Sequence, residues 1–275
     1  GETPSPDMVA GAGGVGRMKP LVAIALLLVV IVTPLVVARW SAWYSIASYQ
    51  DVSVPPVVSR YKAEEVVRKF GLEREWAQTA SGYDRTGQLA WALEKEDEAL
   101  AERVLRGSTP PLLFTWYRAT PVPWPEPASS GFYRGLVTSG QPVRGIPGEV
   151  YVSLDLKGRV RRLFAPPEEI VLDRGSDAGD QNKKAGEWED ADLVRVCGLD
   201  PALMRAVEPA VRFAGRTDRR VAWEGVWPDM PEMPVRVEAG IADGKPVYLA
   251  SLSPWEMEGF AEQMAAREAG TEPTA

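Results

Sequence analysis

LVAIALLLVVIVTPLVVA, residues 21–38, carries no charged side chain. As an α-helix, rising about 1.5 Å per residue, it spans ~27 Å, close to the hydrocarbon thickness of a bilayer. Arg17 and Lys19 stand before it, and Trp40, Trp43 and Tyr44 follow it where amphipathic rings settle at a headgroup boundary. A transmembrane anchor is the favoured reading. A cleavable signal peptide starting at Met18, with Val36-Val37-Ala38 as its processing site, is the second. A buried core helix is the third, and a polar tail in front of the run argues against it. Pro34 near the far end is tolerated better in a membrane span than in a soluble helix. Basic residues outnumber one another by a single charge, Arg17 and Lys19 before against Arg39 after, which leans towards a cytoplasmic N-terminus and an extracytoplasmic C-terminal part.

Everything outside that run is bounded by composition. The net charge is −7 and the isoelectric point about 5.0, which argues against a general nucleic-acid-binding surface. There is no histidine, so Ser-His-Asp and Cys-His machinery and imidazole zinc sites are excluded. Cys197 is the single cysteine and reads as a small buried apolar residue. No metal site and no cofactor is expected.

The N-terminal GETPSPDMVAGAGGVGR is a Gly/Ala/Pro-rich juxtamembrane linker, and its start at Gly rather than Met suggests a piece of something longer. After the anchor, Asp51–Pro56 reads as an extended spacer. Residues 59–70 read as an amphipathic helix capped by Ser59, with Ala63, Val66, Val67 and Phe70 on one face and Gly71 ending it. Gln88–Leu105 reads as a second helix with a solvated acidic side. The period then changes: Leu112–Arg118 is an aromatic strand followed by a Pro-rich loop. Val150–Asp155 and Arg159–Phe164 form a hairpin around Gly158. Asp192–Val207 is helical in pattern, with a fresh start at Asp200-Pro201. Val221–Gly225 is a strand leading to a Pro-rich turn that ends at Pro234. Val235–Ala239 and Pro246–Ala250 flank Asp243-Gly244 as another hairpin.

Laid side by side, Trp116-Tyr-Arg with Val122-Pro-Trp-Pro125 answers Ala222-Trp-Glu with Val226-Trp-Pro228. The expectation is one unit used twice: an α+β chain with one N-terminal transmembrane helix and two tandem helix-plus-antiparallel-sheet subdomains, on a PepSY-like or cystatin-like plan. The boundaries are 1–19 linker, 20–40 transmembrane helix, 51–172 first subdomain, 173–190 linker, 191–260 second subdomain and 261–275 tail.

Several stretches together resemble the region that follows the catalytic domain in membrane-bound bacterial serine/threonine protein kinases. These are GETPSPDMVA (1–10) before a span, FTWYRATP (114–121), VSLDLKGRV (152–160) with Pro166-Pro167, and GLDP (198–201). AWEG (222–225), PVRVEA (234–239), GKPVY (244–248) and Pro254-Trp255 complete the series. The resemblance implies a cytoplasmic kinase before this segment. Kinase activity is not carried over to these residues. They include no nucleotide loop with a Val-Ala-Ile-Lys strand, no His-Arg-Asp loop and no Asp-Phe-Gly, and Gly11–Gly16 read as linker.

The functional expectation is a non-catalytic, extracytoplasmic sensory or interaction region. Its partners would be the bilayer, a second copy of the chain, and an envelope ligand or protein, with no nucleic acid. Trp116, Tyr117, Trp124, Trp223 and Trp227 are the contact candidates, since aromatics beside Pro-rich loops make rigid contact surfaces; each also fits a core-filling role. A stand-alone anchored interaction or inhibitor-like module is the alternative. A carboxylate hydrolase would have to draw on Glu149, Asp155, Glu224 or Glu238.

Overall fold

The computed structural model describes residues 19–43, 49–50, 55–87, 97–107, 109–125, 136–142, 144–167, 188–210 and 217–258. The chain divides into two compact units, residues 1–48 and 49–275. The expected linkers at 1–18 and 173–187, the start of the acidic helix at 88–96, and the helix-prone tail lie outside the described residues.

In the first unit, helix α1 (Pro20–Trp43) contains the apolar run. Its window Pro20–Ser41 is long and apolar enough to cross a membrane, and none of its residues is buried. A signal sequence passes the same test of length and composition. Pro20, at the first helical position, gives up an N–H that would have had no partner.

The second unit is built on one antiparallel sheet. Helix α2 (Pro56–Lys69) opens with Pro56 at its first position and Pro55 as its cap, correcting the expected Ser59 cap. Ser59 lies inside the first turn and is buried. Two successive prolines start the helix because the second is pre-set in φ and lacks the donor the first turn cannot use. Ala63, Val67 and Phe70 form its buried face, with Val66 half-buried beside them. Gly71, at φ +68°, ends it. Its N–H donates to Arg68 O at 2.9 Å and the Leu72 N–H to Val67 O at 3.0 Å, the two bonds of a Schellman motif.

Strand β1 (Gln78–Arg85) follows, then α3 (Glu98–Arg106), capped by the Asp97 side chain accepting from Leu100 N at 2.9 Å. Ala101 and Val104 are buried while Glu98 and Glu102 face solvent, as expected of the acidic stretch. Next come β2 (Leu113–Thr120), β3 (Val150–Asp155) and β4 (Val160–Phe164). The β3–β4 hairpin matches the sequence reading. Asp155 Oδ1 accepts from the N–H groups of Lys157 and Arg159, both at 2.9 Å, and Gly158 takes φ +85°.

Helix α4 (Asp190–Val196) is shorter than expected. Gly198, at φ +74°, ends it with the same two bonds as Gly71: its own N–H to Arg195 O and Leu199 N–H to Val194 O. The Asp200 side chain then caps a 3-10 turn (Pro201–Leu203), and β5 (Arg205–Val207) occupies what the sequence pattern had assigned to helix. Strand β6 (Arg219–Trp227) turns tightly into β7 (Met230–Ala242), which pairs through Asp243-Gly244 with β8 (Lys245–Leu252). The expected Pro-rich turn to Pro234 is therefore strand. Proline is tolerated there because β8 reaches along β7 only from Arg236 onwards, so Pro231 and Pro234 face no partner on that side.

The strand order is β1-β2-β3-β4-β8-β7-β6-β5, antiparallel throughout. The two small sheets expected from sequence are one eight-stranded sheet. Its halves join where Arg162, Leu163 and Phe164 pair with Ala250, Leu249 and Tyr248. Helix α2 lies on one face, over β1 to β3. Trp188 closes against Phe70, ring edge to ring at 4.7 Å, with Lys69 Nζ 5.7 Å from its centroid.

Candidate functional site

Strand alternation divides the aromatic candidates between the two faces. Following the register from β2 to β6, Tyr117, Val152, Leu163, Leu249, Ala239 and Val221 share the α2 face, and Trp223 lies on it too. Both Tyr117 and Trp223 are buried. Burial, with the Glu64 carboxylate nearby, pushes the Tyr117 phenol up to about 12. Trp227 is buried at the end of β6, its ring centroid 6.0 Å from the Arg159 guanidinium. These three fill the core instead of presenting a contact surface, because each lies on an inward-facing strand position.

Trp116 and Trp124 belong to the opposite side. Trp116 packs in a buried cluster with Phe114 and Tyr151, joined at its margin by Ala80, Val137 and Phe164. Gly82 leaves room for the indole: a Cβ there would stand 3.0 Å from its ring. Trp124 is half-buried. Its Nε1 donates to Glu149 Oε1 at 3.3 Å and its ring lies 5.4 Å from the Arg118 guanidinium. The structure thus brings Trp116 and Trp124 to one locality and leaves Tyr117, Trp223 and Trp227 elsewhere.

What organises this face is arginine. Arg118 is fully buried; its Nε and Nη2 donate to Glu149 Oε1 at 2.9 and 2.5 Å, and its Nη1 donates to the carbonyls of Thr138 and Pro142 at 3.0 and 2.9 Å. Gly145 N–H donates to the second Glu149 oxygen at 3.2 Å. Segments 136–142 and 144–149 are therefore tied to β2 through one buried ion pair. Further along, Arg161 and Arg162 both donate to Glu256 Oε1, the latter at 2.7 Å, and the Arg161 guanidinium stacks 4.7 Å from the Phe114 centroid. Glu256 sits in a helical turn at 254–258, where its other oxygen accepts from Ser253 N. Arg144 lies 4.4 Å from the Tyr151 centroid. Burial lowers the Arg144 pKa; Tyr151 opposes it, and the positive charges of Arg162 and Arg118 push it down further. Burial also lowers that of Arg161, although the Glu256 carboxylate opposes it. None of these arginines stood out in the sequence. The period-two alternation that puts Arg118, Tyr151, Ser153 and Arg162 on one face becomes readable only once strand register is known.

The acidic candidates have partners as well. Arg236 donates to Glu224 and to Glu238, each at 2.6 Å, so a guanidinium stands between the two carboxylates. Ala210 N–H also donates to Glu238 at 3.0 Å. Glu149 holds Arg118, and Asp155 holds its turn. An open cleft of about 400 Å³ between α3 and the β6–β7 turn has charges that pair off: Arg103 with Glu232, Arg106 with Glu102, and Lys157 with Asp229. No group of three potential metal ligands occurs among the described residues. Cys197 is buried, which pushes its thiol up to about 12, so it is not a nucleophile at neutral pH.

Comparison with protein-family models, curated proteins and solved structures returned no match.

Proposed function

We propose that this chain is the membrane-tethered, extracytoplasmic sensory or interaction region of a bacterial signalling protein, a serine/threonine protein kinase by the resemblance set out above. The observation that carries the reading is the exposed apolar helix Pro20–Ser41 standing before a separately packed unit whose buried carboxylates are held by arginines. A group that must gain and lose protons needs an environment that leaves it poised between states; Glu149, Glu238 and Glu256 instead each accept charge-assisted bonds from a guanidinium.

A tandem origin of the packed unit supports its use as a recognition module. The strand order mirrors about the β4–β8 join; each half has a helix ahead of four strands, the first half with α3 inserted between β1 and β2. Tyr117 opposite Val152 and Trp223 opposite Val237 hold corresponding places, as the sequence parallel of Trp116-Tyr-Arg with Ala222-Trp-Glu requires. VRKFGLE (67–73) and VRVCGLD (194–200) end α2 and α4 with the same glycine motif.

Topology is the first test. In a Cys197→Ala background, Gly140→Cys puts a thiol in open space, since no atom lies within 4 Å of the added Cβ. A membrane-impermeant maleimide should label it in intact cells. Labelling only after lysis would invert the orientation and remove the sensory reading; release of the labelled chain from the membrane would favour the signal peptide.

A further inference from the structure

We propose that the sheet face under segments 136–142 and 144–149 binds an oxyanion, held by the Ser153 hydroxyl, the Arg162 Nε–H and the Arg144 guanidinium. Three buried side-chain atoms among the described residues have no hydrogen-bond partner: Ser153 Oγ, Arg162 Nε and Trp227 Nε1. The first two are neighbours, because Ser153 and Arg162 are register partners across β3 and β4 and point to the same face as Trp116 and Tyr151. Ser153 is fully buried. Two adjacent donors left without an acceptor in a sheet interior are costly, and an acceptor that answers both removes the cost.

Ion pairing also leaves one arginine of this locality, Arg144, without a carboxylate. Arg118, Arg144, Arg161 and Arg162 meet three carboxylates: Glu149, which is taken by Arg118; Glu256, which Arg161 and Arg162 share; and Asp84, which accepts from the Ser139 hydroxyl. Arg144 has no carboxylate within ion-pair distance among the described residues and rests on Tyr151. Its pKa is lowered mainly by burial, with the positive charges of Arg162 and Arg118 adding to it. Ser153 Oγ and Arg162 Nε are themselves buried, so an anion would approach from the side of the Arg162 side chain, which keeps 34 % of its surface, and of half-buried Arg144. A planar guanidinium edge with a hydroxyl beside it matches the oxygens of a phosphate, sulfate or carboxylate, and Tyr151 gives an aromatic wall for whatever carries that group. The inference rests on taking this face as the ligand-facing one, not on membrane topology, so labelling and anion titration can fail separately.

The test uses the full chain in nonionic micelles, titrated with inorganic phosphate, sulfate or acetate at constant ionic strength against chloride, and followed by calorimetry and by thermal unfolding. Saturable binding of at least one oxyanion is expected. Arg144→Gln should weaken it about tenfold and Ser153→Ala several-fold, while Arg103→Gln on α3 leaves it unchanged. Ser153→Ala should not lower the melting temperature of the anion-free protein, because it deletes a hydroxyl with no partner; a structural serine would lower it. Arg162→Lys, which keeps the charge and loses Nε, should also weaken binding. Preference for phosphate or sulfate identifies a tetrahedral headgroup, and preference for acetate a carboxylate. If no oxyanion saturates beyond chloride, or if Arg144→Gln and Ser153→Ala bind as the parent does, this face is not an anion site and the proposal falls.

Discussion

Arg118 and Glu149 are both without solvent exposure, and the pair fastens a loop to the second strand of the sheet. Removing one partner of such a pair leaves a charge in a medium that cannot solvate it. Glu149→Ala should therefore cost about 3–5 kcal/mol, read from urea unfolding followed by tryptophan fluorescence. The double change Arg118→Met with Glu149→Leu should recover most of that loss; a double variant as unstable as the single one would show that geometry, not charge burial, sets the cost. Two of the buried groups with raised pKa values, Tyr117 being the third, bear on stability at alkaline pH. Burial pushes Cys197 and Tyr248 up to about 12 from ordinary values near 9 and 10. A pKa raised on folding means the unfolded chain releases its proton first, so their contribution is complete below about pH 9 and is lost as pH rises towards 12. Cys197→Ala and Tyr248→Phe should each flatten the fall in melting temperature between those limits. Of this, only the burial of Cys197 was legible in the sequence. Arg118 and Glu149 are 31 positions apart and Arg161 and Glu256 are 95 apart, so only the folded register tells which arginine is a structural cation and which is a surface one. For the same reason Tyr117, Trp223 and Trp227 read as contact candidates: an aromatic in a strand is equally suited to either face until the neighbour strand is known.

At the scale of elements, what was readable is what local chemistry decides alone. The apolar run fixes α1 whatever surrounds it, and Lys157-Gly158 and Asp243-Gly244 fix their hairpins because Gly158, Asp243 and Gly244 all adopt positive φ. β1 escaped notice because QTASGYDR is polar and lies at the sheet edge, where pairing with β2 rather than its own pattern makes it a strand. The first part of β7 was obscured by prolines that are harmless on an unpaired side. The paired glycine stops offer a graded test. Gly71→Ala meets only the Lys245 side chain at 3.6 Å, so its cost is that of a positive φ, about 1 kcal/mol. Gly198→Ala drives a Cβ to within 2.0 Å of Arg159 Cδ, and Arg159 is engaged with Asp155. It should cost more than Gly71→Ala in the same unfolding experiment; equal losses would mean that Arg159 moves aside freely.

Across the whole molecule, an apolar helix and a packed α+β unit make up one chain, and the packed unit has its helix α2 on one sheet face and an arginine-aromatic lattice on the other. Ligand-dependent association of the packed unit is the behaviour expected of a single-span receptor, because one helix transmits little except a change in distance or register to a neighbour. Chemical cross-linking in membranes, with and without phosphate, should change in yield; an identical yield would argue for the anchored stand-alone module instead.

The join between the halves is narrow. Arg162, Leu163 and Phe164 meet Ala250, Leu249 and Tyr248, and Ala165 N–H donates to Val247 O just beyond β4. Strand rows this short open before the hairpins on either side of them. Since Arg162 is the end rung and also a proposed anion ligand, occupancy would act as a latch on that opening, and the Leu163 and Leu249 amides would exchange with deuterium more slowly when the anion is present.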